Sequence, residues 1–236
     1  AKVSEPMAIQ TPREGWVEQS GEALSSASLD VIAQAINHVG AENVAALAIS
    51  NQRETAIGWY RQSGKPLNAA ITWQCTRSAE FCETLRREGK EQQIKTTTGL
   101  PIAPLFSASK MRWLLESTPE GVQLADQGEI CLGTIDGGLL WNLTAGDSFC
   151  CDYSNAARTQ LLNLKTGEWD EEMLALFHIP RAALPEIKPS SGLFGYTRGL
   201  KTIPDGIPVM AMVGDSHAAL FGHALGEAGC VKATYG

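Results

Sequence analysis

The sequence lacks the signatures of several common classes of enzyme. It contains no G-x-x-x-x-G-K-[ST] loop, and no two of its glycines stand two residues apart, so both the P-loop and the dinucleotide-binding fingerprint are missing. The motifs H-E-x-x-H and G-x-S-x-G are also missing. The four histidines show no metal-ligand spacing; they are His38, His178, His217 and His223. We therefore predict no metal site in this chain.

Positive charge and long apolar runs are scarce as well. Lysine and arginine number 19 against 26 acidic residues, and the formal net charge of -7 argues against nucleic acid as a partner. No apolar run approaches about 18 residues, and no basic segment leads into an apolar one at the start, which predicts neither export nor a membrane partner. The six cysteines form no C-x-x-C pair, as expected of reduced thiols in a cytoplasmic protein.

The 236 residues, of which 44% are hydrophobic, are enough for one large domain with its own core. Hydrophobic periodicity predicts that helices and strands alternate, which indicates an α/β domain with helices layered on a mixed sheet. The helices are expected at 22–39, 76–89 (from an N-cap at Thr76), 106–117, 133–144 and 170–177. Strands are expected at 43–50, 56–62 and 69–73, a surface crossing at 185–195, and a strand followed by a helix at 207–226.

Three polar islands interrupt the apolar pattern, and the first is Asn51-Gln52-Arg53-Glu54 after a predicted buried strand. A guanidinium beside a carboxylate offers donors and acceptors that suit the neighbouring hydroxyls of a polyol. A salt bridge at the end of the strand explains the same residues and is favoured by spacing alone. The second island is Trp73-Gln74, where the indole is either a core side chain or an apolar wall for sugar C–H groups.

The third island is Gly214-Asp215, at the junction of a predicted strand and a helix. Ligands of open α/β sheets bind at the carboxyl ends of strands, so Asp215 could accept a hydroxyl proton as a general base. Aspartate is also a common helix cap, and the residues alone leave these two interpretations open. His217 lies in the first turn of the same helix, where it either contacts a ligand or faces solvent.

Taken in order, these islands and the segments around them resemble the FGGY carbohydrate kinases, and most closely the glycerol kinases among them. The resemblance runs from "GWVEQS" at 15–20 to the last residue. A collinear set of motifs is far more specific than any one of them. The set is "NQRET", "WQCTR", "TGLPIAPLFSASKMRWLL", "GTIDGGLLWNLT", "DYSNAARTQLLNLKTGEWDEEML", "LPEIKPSS", "GDSHAALFGH" and "ATYG".

The resemblance implies an actin-like, ribonuclease H-like fold in which ATP binds between two lobes. Residues 1–236 are then the first, sugar-binding lobe, without the D-x-G-T-T phosphate hairpin that usually opens the family and without the nucleotide-binding lobe that follows. We accordingly expect this chain alone to be inactive, and expect ATP and Mg²⁺ to be bound mainly by other parts of the protein. A cytoplasmic location and a homodimer are compatible with the resemblance.

The resemblance also implies roles for individual residues. Asp215 matches the catalytic base, which takes the proton of the substrate hydroxyl as its oxygen attacks the γ-phosphoryl group. Arg53 and Glu54 match the pair that binds substrate hydroxyls in glycerol kinases, and Trp73 matches the apolar wall. The expected activity is ATP-dependent phosphorylation of a sugar or polyol, and the alternative is a non-catalytic sugar-sensing module on the same fold.

Two positions depart from the glycerol kinase pattern. Leu105 stands where those enzymes have a tyrosine whose hydroxyl helps to bind glycerol, and Ser216 replaces a glutamine after the catalytic aspartate. The shorter Ser216 leaves room in which His217 could reach a larger sugar. Because lost hydroxyl contacts change specificity strongly, we expect a substrate other than glycerol, with glycerol as the weaker alternative.

Overall fold

In a computed structural model of the chain, the structure describes residues 2–223 and 226–233. The strands are β1 Glu18–Gln19, β2 Leu47–Asn51, β3 Ala56–Tyr60, β4 Ala70–Ile71, β5 Ile130–Thr134, β6 Cys150–Asp152, β7 Glu186–Lys188, β8 Ser191–Tyr196 and β9 Pro208–Gly214. The α-helices are α1 Gly21–Val39, α2 Ala79–Arg87, α3 Glu91–Thr98, α4 Ser107–Glu116, α5 Gly121–Asp126, α6 Ile135–Leu143, α7 Tyr153–Ala156, α8 Glu171–Phe177 and α9 Asp215–Gly222. The last three residues of the motif "ATYG", 234–236, lie outside the described residues.

The strands form three sheets rather than one. An antiparallel sheet has the order β1-β4-β3-β5, and a mixed sheet has the order β2-β9-β8, in which β2 runs parallel to β9. A third, two-stranded sheet pairs β6 with β7 in parallel. The α/β fold class predicted from the sequence is confirmed, whereas the single sheet is not.

Two main clusters of buried side chains hold the helices against these sheets. In the first, α2, α3, α4 and α8 pack onto the antiparallel sheet through residues such as Ile71, Leu85 and Leu114. In the second, α1 and α6 cover the mixed sheet, with Ile36 and Met212 among the buried residues. Fully burying a side chain of this size contributes about 1.5–3 kcal/mol, so each helix is fixed mainly by its apolar face. This packing leaves the carboxyl ends of β2 and β9 free to carry polar loops.

Several predicted elements match the structure closely. The helix expected at 22–39 is α1, which begins after Ser20, whose hydroxyl accepts the Ala23 N–H at 3.2 Å. It ends at Gly40, whose φ of 85° lies in the left-handed region that favours glycine. The strand and helix expected at 207–226 are β9 and α9.

Other boundaries are wrong for identifiable reasons. The Thr76 hydroxyl donates to the Gly15 carbonyl at 3.0 Å instead of capping a helix, and α2 begins after Ser78. Residues 133–134 end β5, so the helix expected at 133–144 begins only at Ile135. The supposed surface crossing at 185–195 contains β7 and most of β8, since Pro185, Pro189 and Ser190 only flank these short strands.

Among the helices of the described residues, none combines the length and the apolar character that a membrane span needs.

Candidate active site

The site lies where β2 and β9 end side by side. These parallel strands are in register with Asn51 opposite Gly214, so the chain leaves both strands at the same edge of the sheet. The polar loop after Asn51 and the first turn of α9 therefore meet there. Two islands that are 160 residues apart in the sequence become neighbours, as expected for the carboxyl edge of an α/β sheet.

Arg53 joins the two strand ends. Its aliphatic stem crosses Gly214 so closely that a Cβ at that glycine would lie 2.2 Å from Arg53 Cδ. Arg53 Nε then lies 3.8 Å from Asp215 Oδ1. The Arg53 side chain is 15% exposed and that of Asp215 is 60% exposed, so the carboxylate stands at the rim and the guanidinium beneath it. Arg53 Nε is buried and has no hydrogen-bond partner among the described residues.

His217, in the first turn of α9, is the third member of this group. Arg53 Nη1 lies 3.2 Å from His217 Nδ1, and because arginine can only donate, Nδ1 accepts and the ring proton is on Nε2. Partial burial lowers the pKa of His217, and the Arg53 guanidinium lowers it further. A neutral imidazole is what this contact requires, so the geometry and the direction of the pKa agree.

Asp215 is the first residue of α9, and Gly214 occupies the N-cap position without a side-chain cap. Asp215 Oδ1 accepts the N–H of Ser216 at 2.6 Å, so the carboxylate contacts one free amide of the first turn. A helix N-terminus stabilises a negative charge by about 0.3–1 kcal/mol at an exposed position. The carboxylate is thus oriented by the helix and is still open to solvent, an arrangement in which it can accept a proton.

Glu54 is arranged differently from its neighbour Arg53. Its backbone is left-handed, with φ 62°, and its side chain is buried against Arg158, whose Nε donates to Glu54 Oε1 at 2.5 Å. The Glu54 carbonyl accepts from the Ser107 hydroxyl at 3.2 Å. Within the described part of the chain, Arg53 and Glu54 have different ion-pair partners, so the two do not form the simple strand-end salt bridge that spacing favours.

The remaining candidates lie around this group without bonding to it. Trp73 is 45% exposed, so the interpretation as a core tryptophan is wrong. The strand pairing brings Trp73 towards Glu54. Ile71, two residues before Trp73, pairs with Ala56, and Ala56 is two residues after Glu54. Ser216 and Leu105 are half-buried. Among the described residues, no hydrogen bond or ion pair joins the side chain of Trp73 or Leu105 to Arg53 or Asp215.

Comparison with known families identifies the architecture. The model of the N-terminal domain of the FGGY family of carbohydrate kinases matches residues 1–222. The chain belongs to the FGGY family of carbohydrate kinases. The family and the actin-like, ribonuclease H-like fold class predicted from the sequence are confirmed.

Named relatives of this FGGY chain are glycerol kinases. Glycerol kinase 1 of Thermotoga maritima is 47% identical over 228 residues, which are 95% of this chain and 46% of the relative. The glycerol kinase of Bdellovibrio bacteriovorus is 44% identical, with 95% and 46% covered. The chain therefore spans about half the length of the curated relatives it matches.

Solved structures agree with this assignment. The crystal structure of Plasmodium falciparum glycerol kinase with ADP has a TM-score of 0.88 and 31% identity, covering 93% of this chain and 44% of that one. The ligand-bound xylulose kinase of Lactobacillus acidophilus, at 24% identity, has a TM-score of 0.80 over 94% of this chain and 44% of that one, and supports the fold alone.

Sequence reasoning missed a second set of polar residues behind the FGGY site. The side-chain amides of Asn51 and Asn155 bond to each other twice, at 2.9 and 3.1 Å, and Asn155 is fully buried. Ser154 accepts the backbone N–H of Gly214 at 2.7 Å. The signal was visible in "DYSNAAR", where polar residues crowd a segment that follows two buried cysteines, but their partners are about 60 to 104 residues away.

Lys110 on α4 is a further missed residue, because a lysine on an amphipathic helix is expected at the surface. It is fully buried, and its ammonium donates to the Leu105 carbonyl and, at 3.4 Å, to that of Pro104. Burial lowers the pKa of Lys110 to about 7, which nearby Glu54 partly opposes. The loop that carries Leu105 is thus held from beneath by a buried ammonium group.

Two further observations concern metal ligands and cavities. No cluster of three or more metal-ligating side chains is found among residues 2–223 and 226–233. A groove of about 880 Å³ lies between α2, α4 and α8, and its lining includes Arg77, Arg112 and Trp113 but none of the candidate site residues.

Proposed function

We propose that the whole protein uses ATP to phosphorylate a hydroxyl of a small polyol or sugar, and that this chain carries the substrate site and the catalytic base. The observation that carries the proposal is the meeting of Arg53, Asp215 and His217 at the joined ends of β2 and β9. This chain is then the first, substrate-binding lobe of the kinase. A cytoplasmic location and a homodimer belong to the same proposal.

In this mechanism Asp215 accepts the proton of the substrate hydroxyl as its oxygen becomes the nucleophile. The exposure of the carboxylate and its contact with the Ser216 N–H in the first turn of α9 support that role. Arg53 donates to a substrate oxygen, Glu54 accepts from a hydroxyl, and the open face of Trp73 packs against C–H groups. Phosphoryl transfer depends mainly on such positioning together with neutralisation of the phosphate charge.

ATP and Mg²⁺ are implied by the family, and the residues of this site fit the metal poorly. Mg²⁺ requires several oxygen ligands, whereas the exposed group at this edge pairs one carboxylate with a guanidinium and an imidazole. We therefore propose that both are held mainly by other parts of the whole protein. The chain's own residues bind and orient the substrate and move one proton.

Two candidate substrates follow from different observations. The names of the relatives at 43–47% identity favour glycerol. The changed side chains at Leu105 and Ser216 favour a larger polyol or sugar, because they replace two polar contacts expected of a glycerol site. We propose glycerol as the first substrate to test and a larger polyol or sugar as the second.

A coupled ATP-consumption assay on the full-length gene product separates these outcomes. The panel contains glycerol, tetritols, pentitols, pentoses and hexoses. Strong turnover of glycerol supports the first candidate and contradicts the inference from Leu105 and Ser216, and one strong responder other than glycerol does the reverse. No turnover with any compound, although a polyol binds by calorimetry, contradicts the kinase proposal and favours the non-catalytic sugar-sensing module.

A further inference from the structure

The segment from Asp152 to Arg158, in which Asp152, Ser154, Asn155 and Ala156 are buried, contacts both strand ends that carry the site. The Ser154 hydroxyl accepts the N–H of Gly214 at 2.7 Å, directly before Asp215. Arg158 Nε donates to Glu54 Oε1 at 2.5 Å, three residues beyond the end of β2. Two side chains from one short segment thus reach the two halves of the candidate site, one each.

The Asp152 carboxylate links several parts of this segment by hydrogen bonds. This carboxylate is fully buried and accepts two backbone N–H groups, those of Ser154 and Asn155, each at 3.0 Å. It also accepts from the Asn155 amide at 2.7 Å and from the Ser190 hydroxyl at 2.6 Å. Hydrogen bonds to a carboxylate are stronger than those between neutral groups, so these four hold the segment in one conformation.

The contact from Ser154 constrains the Gly214 peptide group, and the contact from Arg158 constrains the Glu54 carboxylate. The Gly214 N–H belongs to the peptide unit from which Asp215 and α9 continue, so Ser154 fixes the point at which the carboxylate emerges. The Glu54 carboxylate is held through Oε1, and the Arg158 guanidinium is itself placed 4.9 Å from the centre of the Phe106 ring. Arg158 therefore constrains the rotation of the Glu54 carboxylate through Oε1, and the Glu54 side chain is 10% exposed.

We infer that Ser154 and Arg158 are positioning residues with separable effects, in which Ser154 places Asp215 for proton transfer and Arg158 orients Glu54 for substrate binding. The inference rests on the proposed function, since it assigns the two contacts to two steps of that reaction. A carboxylate displaced by about 1 Å can cost on the order of 100-fold in rate while the substrate still binds. A Glu54 side chain free to rotate weakens binding more than chemistry.

The experiment compares two variants of the full-length protein by steady-state kinetics. Ser154→Ala is expected to lower kcat by about 10- to 100-fold with KM within about 2-fold. Arg158→Gln is expected to raise KM by about 10-fold with a smaller change in kcat. The inference is overturned if the two variants change kcat and KM in the same way. It is also overturned if Ser154→Ala mainly raises KM while Arg158→Gln mainly lowers kcat.

Matched controls come from the same chain. Arg112 also pairs through Nε with a glutamate, at 2.7 Å, and stands over a phenylalanine ring, but it lies outside the site. The Ser28 hydroxyl donates to a backbone carbonyl within α1 at 2.7 Å. Arg112→Gln and Ser28→Ala should leave both kinetic constants within about 2-fold of the wild type, since neither touches the site. A kinetic split in the controls as large as that in the test variants contradicts the assignment.

Amide hydrogen exchange tests the positioning without any turnover. Ser154→Ala should speed exchange at the Gly214 amide and leave peptides from 52–56 unchanged, whereas Arg158→Gln should do the opposite. Unchanged exchange at both places overturns the inference. If the wild-type protein phosphorylates nothing, the proposed function fails, and the exchange data still decide whether Ser154 and Arg158 position these two loops.

Discussion

Arg53 crosses Gly214 at a distance that no side chain at position 214 would allow. A Cβ there would lie 2.2 Å from Arg53 Cδ and 2.6 Å from Arg53 Cγ. The backbone of Gly214 has φ −61°, which alanine adopts without strain. The glycine is therefore required by the arginine stem and not by its own conformation.

Gly214→Ala should consequently push Arg53 out of the site while the fold persists. We expect KM for the substrate to rise by about 10-fold or more, because the guanidinium loses its place beside Asp215 and His217. Steady-state kinetics and calorimetric binding measure this. Gly222→Ala is the control and should behave like the wild type, because an added Cβ at this last residue of α9 would have no atom of the described residues within 4 Å. Equal behaviour of the two variants would show that Arg53 is not needed at this place.

Trp73 offers a test of the apolar wall. Since its side chain is 45% exposed, Trp73→Ala should change the melting temperature little but raise KM by about 5- to 10-fold. Trp59, which is 3% exposed, is the opposite case, and Trp59→Ala should lower the free energy of unfolding by about 3–5 kcal/mol. A Trp73 variant with normal KM would remove this residue from the site.

His217 predicts how substrate binding depends on pH. Because burial and Arg53 lower its pKa below the ordinary 6.5, the ring stays neutral at neutral pH and accepts from Arg53. Protonation at lower pH removes that acceptor and places two positive charges together. KM should rise as the pH falls below the ordinary histidine pKa of 6.5, because the lowered pKa of His217 places its protonation there. His217→Gln should flatten this rise, and an identical pH profile for the variant and the wild type would contradict the contact.

The titration of Asp136 should make the stability of the fold depend on pH. The residue is fully buried in the first turn of α6 and accepts the Thr134 hydroxyl at 2.5 Å. Burial raises the pKa of Asp136 from 3.8 to about 7, and nearby Asp152 adds to the rise. The folded chain then binds this proton more tightly than the unfolded chain, so its contribution to stability is full below pH 3.8 and is lost as the pH rises through about 7.

Denaturant unfolding between pH 4 and 8 measures this effect. Asp136→Asn should make the free energy of unfolding fall less steeply over that range than it does in the wild type. Asp126→Asn, on the exposed side of α5, removes a surface carboxyl and should leave the slope as it is. A slope unchanged by Asp136→Asn would mean that the buried carboxyl does not titrate as proposed.

The sequence carries the family and most of the elements, but not the contacts of the site. The helical spacing of apolar residues over 22–39 locates α1, and the order of the motifs locates the family. Periodicity fails at α3 and α5, which at eight and six residues are too short to show a clear apolar repeat and depend on tertiary contacts that a local pattern does not contain. The exposure of Trp73 and the burial of Lys110 also depend on those contacts.

The sequence also does not predict which side chains Arg53 and Glu54 pair with. Arg53 and Glu54 are adjacent in the sequence, which suggests that they pair with each other, yet their partners are Asp215 and Arg158. These pairings follow from the parallel register of β2 and β9 and from the buried segment behind them, both of which join residues more than 100 positions apart. Only the folded chain brings such residues together.

The most direct test of the account is the replacement of Asp215 by asparagine in the full-length protein. Turnover with the substrate found by the panel should fall by about 100- to 10,000-fold, because the general base is lost. Calorimetric binding of that substrate should stay within about 3-fold, since asparagine keeps the size and one acceptor of aspartate. Turnover close to the wild-type value would contradict the assignment of Asp215 as the catalytic base.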